Sequence, residues 1–453
     1  MTAMRLLLAS AMLLLPQPAR AQDPPPPPPA EAGERPTGLP KRLEWTFNFD
    51  AGWGNFGFQN SLFDNPKEGV EENLSDQWFE GYVKPALSGS YTRGTGVLYG
   101  KVSAVGERTY GSAPEVAGED FSSFQVEDLY AGWRSGDSLD RFGDNAVDLT
   151  VGRSQYRLGH GFLLYDGAAE GGSRGGYWTN ARKAFEFAAI GRFTPGPHTV
   201  ELFYLDKDEL PEDDSGSRLW GLNYEFAHGP DQSSTYGVTY MKVFADDAFR
   251  PERDGLSVFN LRAYTAPVPK YPDLSLEFEY ALEDNGPALD SSAWTLQGAY
   301  ELSGVAWKPK LSYRYAFFEG DDPATAANEG FDPLFLGFYD WGAWWQGEIA
   351  GEYFLSNSNL ASHQWRVHAT PTASIGTGLM WFNFNLDHPA SLAPGVSASD
   401  LAHELDWYMD WKINGNVTAS VVAAYGDPGK AVQQAFDRTK NFTYGMIYVA
   451  YSY

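Results

Sequence analysis

The chain has 453 residues, with 59 acidic and 33 basic side chains, for a formal net charge of −26. So acidic a chain is a poor partner for nucleic acid and for anionic headgroups, because like charges repel. It contains no cysteine, which excludes a disulfide framework, thiol catalysis and a lipid anchor on cysteine.

The first segment reads as a targeting signal. Arg5 supplies a positive end, Leu6 to Leu15 an apolar run, and Ala19-Arg20-Ala21 a cleavage site, so residues 1–21 are expected to be removed. The apolar run is too short to span a bilayer as a helix. Residues 22–41 follow as a spacer. Its proline run, Pro24 to Pro29, favours extended, solvated polyproline II. A periplasmic spacer is the simpler reading, and docking of a periplasmic partner is the other.

From residue 42 the dominant period is two, the spacing of strands with different faces. Leu43, Trp45, Phe47 and Phe49 alternate with Glu44, Thr46, Asn48 and Asp50. The pattern returns at Leu274–Leu282 and at Leu401–Trp411. Connections come in two kinds. Tight ones include Tyr91-Thr92-Arg93-Gly94, Thr194-Pro195-Gly196-Pro197, Ser303-Gly304-Val305 and Ile413-Asn414-Gly415-Asn416. Long polar ones cover 55–77, 106–121, 157–178, 206–217, 245–254 and 426–440. Long and short links broadly alternate when 318–362 is taken as one external excursion with no strand at 343–354. The expected fold over 42–453 is therefore all-β: a transmembrane, antiparallel, up-and-down β-barrel of about 18 strands, with short periplasmic turns and long extracellular loops. The 15% aromatic content suits girdles at both lipid interfaces. Ile447, Val449, Tyr451 and Tyr453 end the chain on an apolar, aromatic face.

Phase places Glu44, Glu80, Glu277, Glu279, Glu301, Glu404, Asp406 and Asp410 toward the interior, together with Lys84, Lys101, Arg192, Arg262, Arg314, Arg366 and Lys412. These charges either brace neighbouring strands or act as a selectivity ladder. Arg153 falls on the apolar phase, where it would cost about 2–4 kcal/mol near the midplane. A bulge at Gly152 would swing it inward.

Several stretches resemble the alginate export family of outer-membrane channels. They are Val151-Gly152-Arg153-Ser154-Gln155 leading to Leu158-Gly159-His160-Gly161-Phe162-Leu163, then Tyr313–Phe317 with Gly320-Asp321-Asp322-Pro323 and Phe331-Asp332-Pro333-Leu334-Phe335, and finally His403-Glu404-Leu405-Asp406. The resemblance implies a monomeric barrel whose loops fold over or into a narrow pore. It also implies an electropositive constriction for a polyuronate, to which Arg192, Arg314 and Arg366 would contribute. The inward set contains at least as many carboxylates as bases, so a neutral or cationic solute fits that wall as well as an anionic polysaccharide.

Asp321, Asp322 and Asp332 are hard donors suited to Ca²⁺. No complete D-x-[DN]-x-[DN]-G pattern accompanies them, so turn-setting is the favoured role, and neither metal nor cofactor is expected. Phe331, Trp341, Trp344 and Trp345 suit an outer aromatic girdle or sugar stacking. Asp206, Asp208, Glu209, Glu212, Asp213 and Asp214 read as a solvated external loop. The seven histidines, His160, His198, His228, His363, His368, His388 and His403, scatter without a G-x-S-x-G element or an H-E-x-x-H helix. A passive channel for hydrophilic solutes, set among outer-membrane lipid and lipopolysaccharide, is the leading expectation. A plugged structural or adhesive barrel is the second, and an outer-membrane hydrolase the third.

Overall fold

Period-two patterning specifies a sheet whose edges must be paired wherever the surround is lipid, and closing the sheet on itself pairs them all. A computed structural model describes residues 42–60, 76–111, 121–229, 233–245, 250–268, 270–337, 346–351, 355–437 and 439–453. The expected signal peptide (1–21) and spacer (22–41) lie outside the described residues, as do Trp341, Trp344 and Trp345.

Eighteen strands form one sheet. They are β1 (Arg42–Gln59), β2 (Asp76–Arg93), β3 (Gly96–Gly111), β4 (Phe121–Arg134), β5 (Val147–Arg153), β6 (Phe187–Phe193), β7 (His198–Asp206), β8 (Arg218–His228) and β9 (Ser234–Phe244), followed by β10 (Ser257–Thr265), β11 (Leu274–Asp284), β12 (Asp290–Glu301), β13 (Lys310–Phe318), β14 (Leu360–Thr372), β15 (Ile375–Asn385), β16 (Asp400–Lys412), β17 (Val417–Pro428) and β18 (Phe442–Ser452). Each pairs antiparallel with its sequence neighbours, and β1 pairs with β18 from Asp50↔Ser452 to Gln59↔Thr443, which closes the barrel. Both links joining β6 to β7 and β14 to β15 are tight, whereas those joining β5 to β6 and β13 to β14 are long and leave from the opposite end. Two links depart from the rule. The β4–β5 link, on the short side, carries a helical turn at Asp140–Phe142, and the β11–β12 link at 285–289 is brief for its side.

The outer face is a belt of exposed apolar side chains, including Trp45, Leu87, Phe124, Leu129, Leu202, Leu222, Leu296 and Leu379. Trp365 and Trp381 pack with ring centroids 4.6 Å apart across β14 and β15. In water this belt would drive aggregation, but against lipid tails it is the required surface. Replacing Leu202, in the middle of β7, by arginine is expected to cost about 2–4 kcal/mol. The Phe203→Leu control on the inner face should cost less, and the two are compared by denaturant midpoint in lipid bilayers.

One irregularity shapes the interior. Opposite Ser103 of β3, strand β4 supplies an extra residue, so that Glu127 and Asp128 both turn inward. This is a β-bulge, and it gives the lumen two successive carboxylates.

Candidate functional site

The interior of the barrel is occupied by two of its own connections. Residues 154–186, 331–337 and 346–351 fold back between the walls, and most of their side chains are buried. Link lengths marked both connections as external, and the family resemblance implied loops folding over or into the pore; the apolar residues among their charges draw them in. Phe162 packs against Phe318 and Phe331 at 5.8 and 6.1 Å, and Phe185 against Phe335 at 6.0 Å. Trp178 lies between Phe56 of β1 at 5.0 Å and Tyr448 of β18 at 4.8 Å. Phe331 is thus a buried plug residue, neither a girdle aromatic nor a sugar platform.

The two segments also pair with each other. Leu164 and Phe335 form a parallel bridge, flanked by Phe335 N–H donating to Leu163 O at 3.0 Å and Gly337 N–H to Gly161 O at 3.0 Å. Gly161 has φ +91°, and a Cβ there would stand 2.7 Å from Gly337 O, so the close approach requires glycine.

Wall carboxylates then cap the loop backbone. Glu80 Oε2 accepts the Trp178 and Thr179 amides at 2.9 and 2.8 Å. Glu127 Oε1 accepts those of Lys183 and Ala184 at 2.8 and 3.2 Å, and also the Lys84 ammonium at 3.2 Å. Glu404 accepts Ile349 and Ala350 at 2.7 and 2.8 Å, Asp406 accepts Glu348 at 3.1 Å, and Glu283 accepts Asp332 at 2.9 Å. Buried amides need such partners.

Loop ion pairs complete the hold. Asp208 receives Arg153, Arg174 and Arg182 together, with Arg174 Nη2 at 2.9 Å from Oδ1. The acidic stretch 206–214, expected in solvent, therefore sends Asp208 inward; Glu209 caps the Ser215 and Ser217 amides at 3.0 and 3.1 Å. Arg153 reaches Asp208 because Gly152 adopts φ +125°, where a Cβ would meet Leu129 O at 2.4 Å. Asp166 takes the Lys183 ammonium. Asp332 holds Arg253 through two contacts, Nε–Oδ2 at 2.5 Å and Nη2–Oδ1 at 2.7 Å. Asp321 and Asp322 accept the Glu329 and Ala324 amides at 3.2 and 2.9 Å, which sets turns. Among the described residues, no group of three or more acidic or histidine side chains is arranged to hold a metal ion.

The Asp332 pair has a pH signature. Burial opposes ionisation, but the Arg253 guanidinium overrides it and holds the Asp332 carboxyl down at about 2, against 3.8 ordinarily. A depressed carboxyl contributes stability above its ordinary value and loses it as pH falls toward the depressed one. Docking of the 331–337 segment through this pair should be constant from about pH 5 upward and weaken only as pH falls from about 4 to 2. Hydrogen exchange of the Asp332 and Leu334 amides across that range checks the sign.

The charges expected along the passage fall into two groups. Lys84, Arg262, Glu279, Arg314, Arg366, Glu404 and Asp406 are buried, covered by the inserted segments or locked into the wall. Arg262 donates to Thr239 at 2.8 Å, Asn260 at 2.7 Å and Glu225 at 2.8 Å, inside a polar ladder that spans β6 to β11. Arg314 Nε donates to Gln297 at 2.9 Å, and Arg366 Nε to Tyr408 at 2.8 Å. Lys101, Arg192, Glu277 and Asp410 keep part of their surface open. Lys101 pairs with Asp128 at 2.8 Å, Arg192 with Glu201 at 2.6 Å, and Asp410 accepts from Ser420 at 2.7 Å. Glu277 stands 3.3 Å from His160 Nδ1, and His160 stacks on Tyr264 at 3.9 Å. Arg134 joins this half-open group, paired with Asp148 at 2.7 Å. The sequence reading missed Glu127, Asp128, Arg182, Lys183, Asp208 and Arg253 as interior residues. Only the adjacent acidic pair Glu127-Asp128 carried a signal, since one of the two breaks the alternation.

No family model matches the sequence, and no curated protein is similar to it. Solved structures are similar in fold. OpdL of Pseudomonas aeruginosa is 12% identical with a TM-score of 0.57, covering 90% of this chain and 99% of its own. OccAB2 of Acinetobacter baumannii is 12% identical at 0.56, with 90% and 98% covered. The outer membrane protein OprD of Pseudomonas aeruginosa is 13% identical at 0.54, with 90% and 93% covered. The expected resemblance to alginate export channels finds no support. Its motifs rest on Gly161, Asp332 and Phe335, which serve here to pack the inserted segments.

Proposed function

We propose that the chain is a passive channel for small hydrophilic solutes, narrowed by residues 154–186, 331–337 and 346–351. The observation that carries this reading is the half-open group. A solid plug would cover the inner wall throughout, as it covers Arg262, whereas the Arg192 side chain, paired with Glu201, stays 49% exposed. The fold likeness to outer-membrane proteins supports the same direction. Passage needs no chemical step and no cofactor. The filled lumen favours small solutes over a threaded polymer, and the mixed charges of Lys101, Arg134, Arg192, Glu277 and Asp410 favour polar solutes that exchange water for paired hydrogen bonds.

Reversal potential under a salt gradient tests the reading. Lys101→Glu with Arg192→Glu is expected to move the anion-to-cation ratio about tenfold toward cations, the low end of what focused charge does to local ion concentration. An unchanged ratio would mean that ions do not pass these residues.

A further inference from the structure

Residues 347–351 form a single π-helical turn lying against β16, β17 and β18, with every residue buried. Three of its amides are held by carboxylates: Glu404 under Ile349 and Ala350, Asp406 under Glu348. The turn adds a third carboxyl, Glu348, to the same pocket. All three are almost wholly buried, at 4% exposure for Glu348, 2% for Glu404 and 0% for Asp406.

Among the described residues, the groups beside these three are mostly further acids and phenols. On β16 the next inward residue is Asp410, another acid, and β18 contributes the phenols of Tyr444 and Tyr448. From the first inserted segment comes Trp178, with Glu80 of β2 beyond it, holding the Trp178 amide. The nearby guanidinium, Arg366, is turned to Tyr408 and acts on Asp410.

Two oxygens in the pocket, Glu348 Oε2 and Asp406 Oδ1, are buried with no hydrogen-bond partner. Both Glu404 oxygens and Asp406 Oδ2 are turned to amides of the turn, which brings the three carboxyls into one buried space. Three ionised carboxylates cannot share a dry pocket, so the pocket is satisfied by protons.

We propose that Glu348, Glu404 and Asp406 form a proton-dependent latch, which holds the 346–351 turn inside the barrel when protonated and releases it into the passage when ionised. Burial, and then the charge of Asp406, push the Glu348 carboxyl well above the ordinary carboxylate range. The latched state therefore holds protons that the released state gives up. The hold is complete below the ordinary carboxylate range and weakens as pH rises, the opposite sense to the Asp332 pair. The latch rests on the channel reading only for its effect on conductance.

The absence of native cysteine makes the test direct. Ala350→Cys places a thiol in the turn, and Gly304→Cys in an exposed link supplies the reference for the thiol's own pH dependence. With the full barrel in lipid, thiosulfonate labelling at Ala350→Cys, normalised to Gly304→Cys, is expected to be at least about tenfold faster at pH 9 than at pH 5, the equivalent of one proton released across one pH unit. Adding Glu348→Gln and Asp406→Asn, which keep shape and remove charge, should hold labelling at its slow level at both pH values. Glu348→Gln alone leaves the wall untouched and should blunt the rise. Labelling independent of pH in the parent, or an equal rise in the neutral variants, overturns the latch. A labelling rise with no ion current at either pH keeps the latch and removes the channel.

Discussion

Replacing Asp208 by alanine should turn a narrow passage into a wide and fluctuating one. This carboxylate gathers Arg153, Arg174 and Arg182, two of them on the inserted segment 154–186 and the third at the end of β5. Removing the acid leaves three guanidiniums close together in a buried place. Stranding one buried charge costs about 3–5 kcal/mol, and the inserted segment can escape that cost by leaving the lumen. Arg182 keeps looser ion pairs with Glu127 and Glu170, at 3.8 and 3.7 Å, beside its direct contact with Asp208. The barrel wall should survive, since its ladders do not pass through Asp208. Swelling of proteoliposomes in sugars of increasing size reads the outcome: the size limit rises in Asp208→Ala and stays near the parent value in Asp208→Glu. An unchanged limit in the alanine variant would mean that segment 154–186 does not set the width.

Arg253→Ala should release the second segment by a comparable amount, about 3–5 kcal/mol, because the buried Asp332 loses its bidentate partner. Asp332 is also tied through its own amide to Glu283, so the loss leaves two neighbouring buried acids facing each other. The two segments share the Leu164–Phe335 bridge, and variants in contact through one network do not add. The double variant Asp208→Ala with Arg253→Ala should therefore be less damaging than the sum of the two. Proteolytic cutting within 154–186 and 319–337, followed for each variant, measures the coupling. Strict additivity would mean that the bridge carries no energy.

The barrel was legible because its cause is periodic. Alternation at Leu43–Asp50, at Leu274–Leu282 and at Leu401–Trp411 records a wall with lipid on one side and polar groups on the other, and all three lie on strands. Link lengths added the orientation. What fills the lumen was not legible, because the inserted segments have no period. Arg182-Lys183 and Asp208 sit in polar stretches that look solvated one residue at a time. Only their three-dimensional meeting shows that they are buried. The bulge at Glu127-Asp128 defeats phase counting for a related reason: one extra residue changes which face each side chain joins, and that depends on the partner strand. At Glu404, Asp406 and Arg262 phase carries direction and not accessibility, since a residue facing inward can face a loop as easily as water.

Single-channel recording of the intact protein in planar bilayers decides whether the barrel conducts. A small, discrete ion conductance is expected in the parent, increased in Asp208→Ala, as the inserted segment leaves an already open path. A bilayer that stays silent with the parent, and with Asp208→Ala, would contradict it and leave a closed structural barrel.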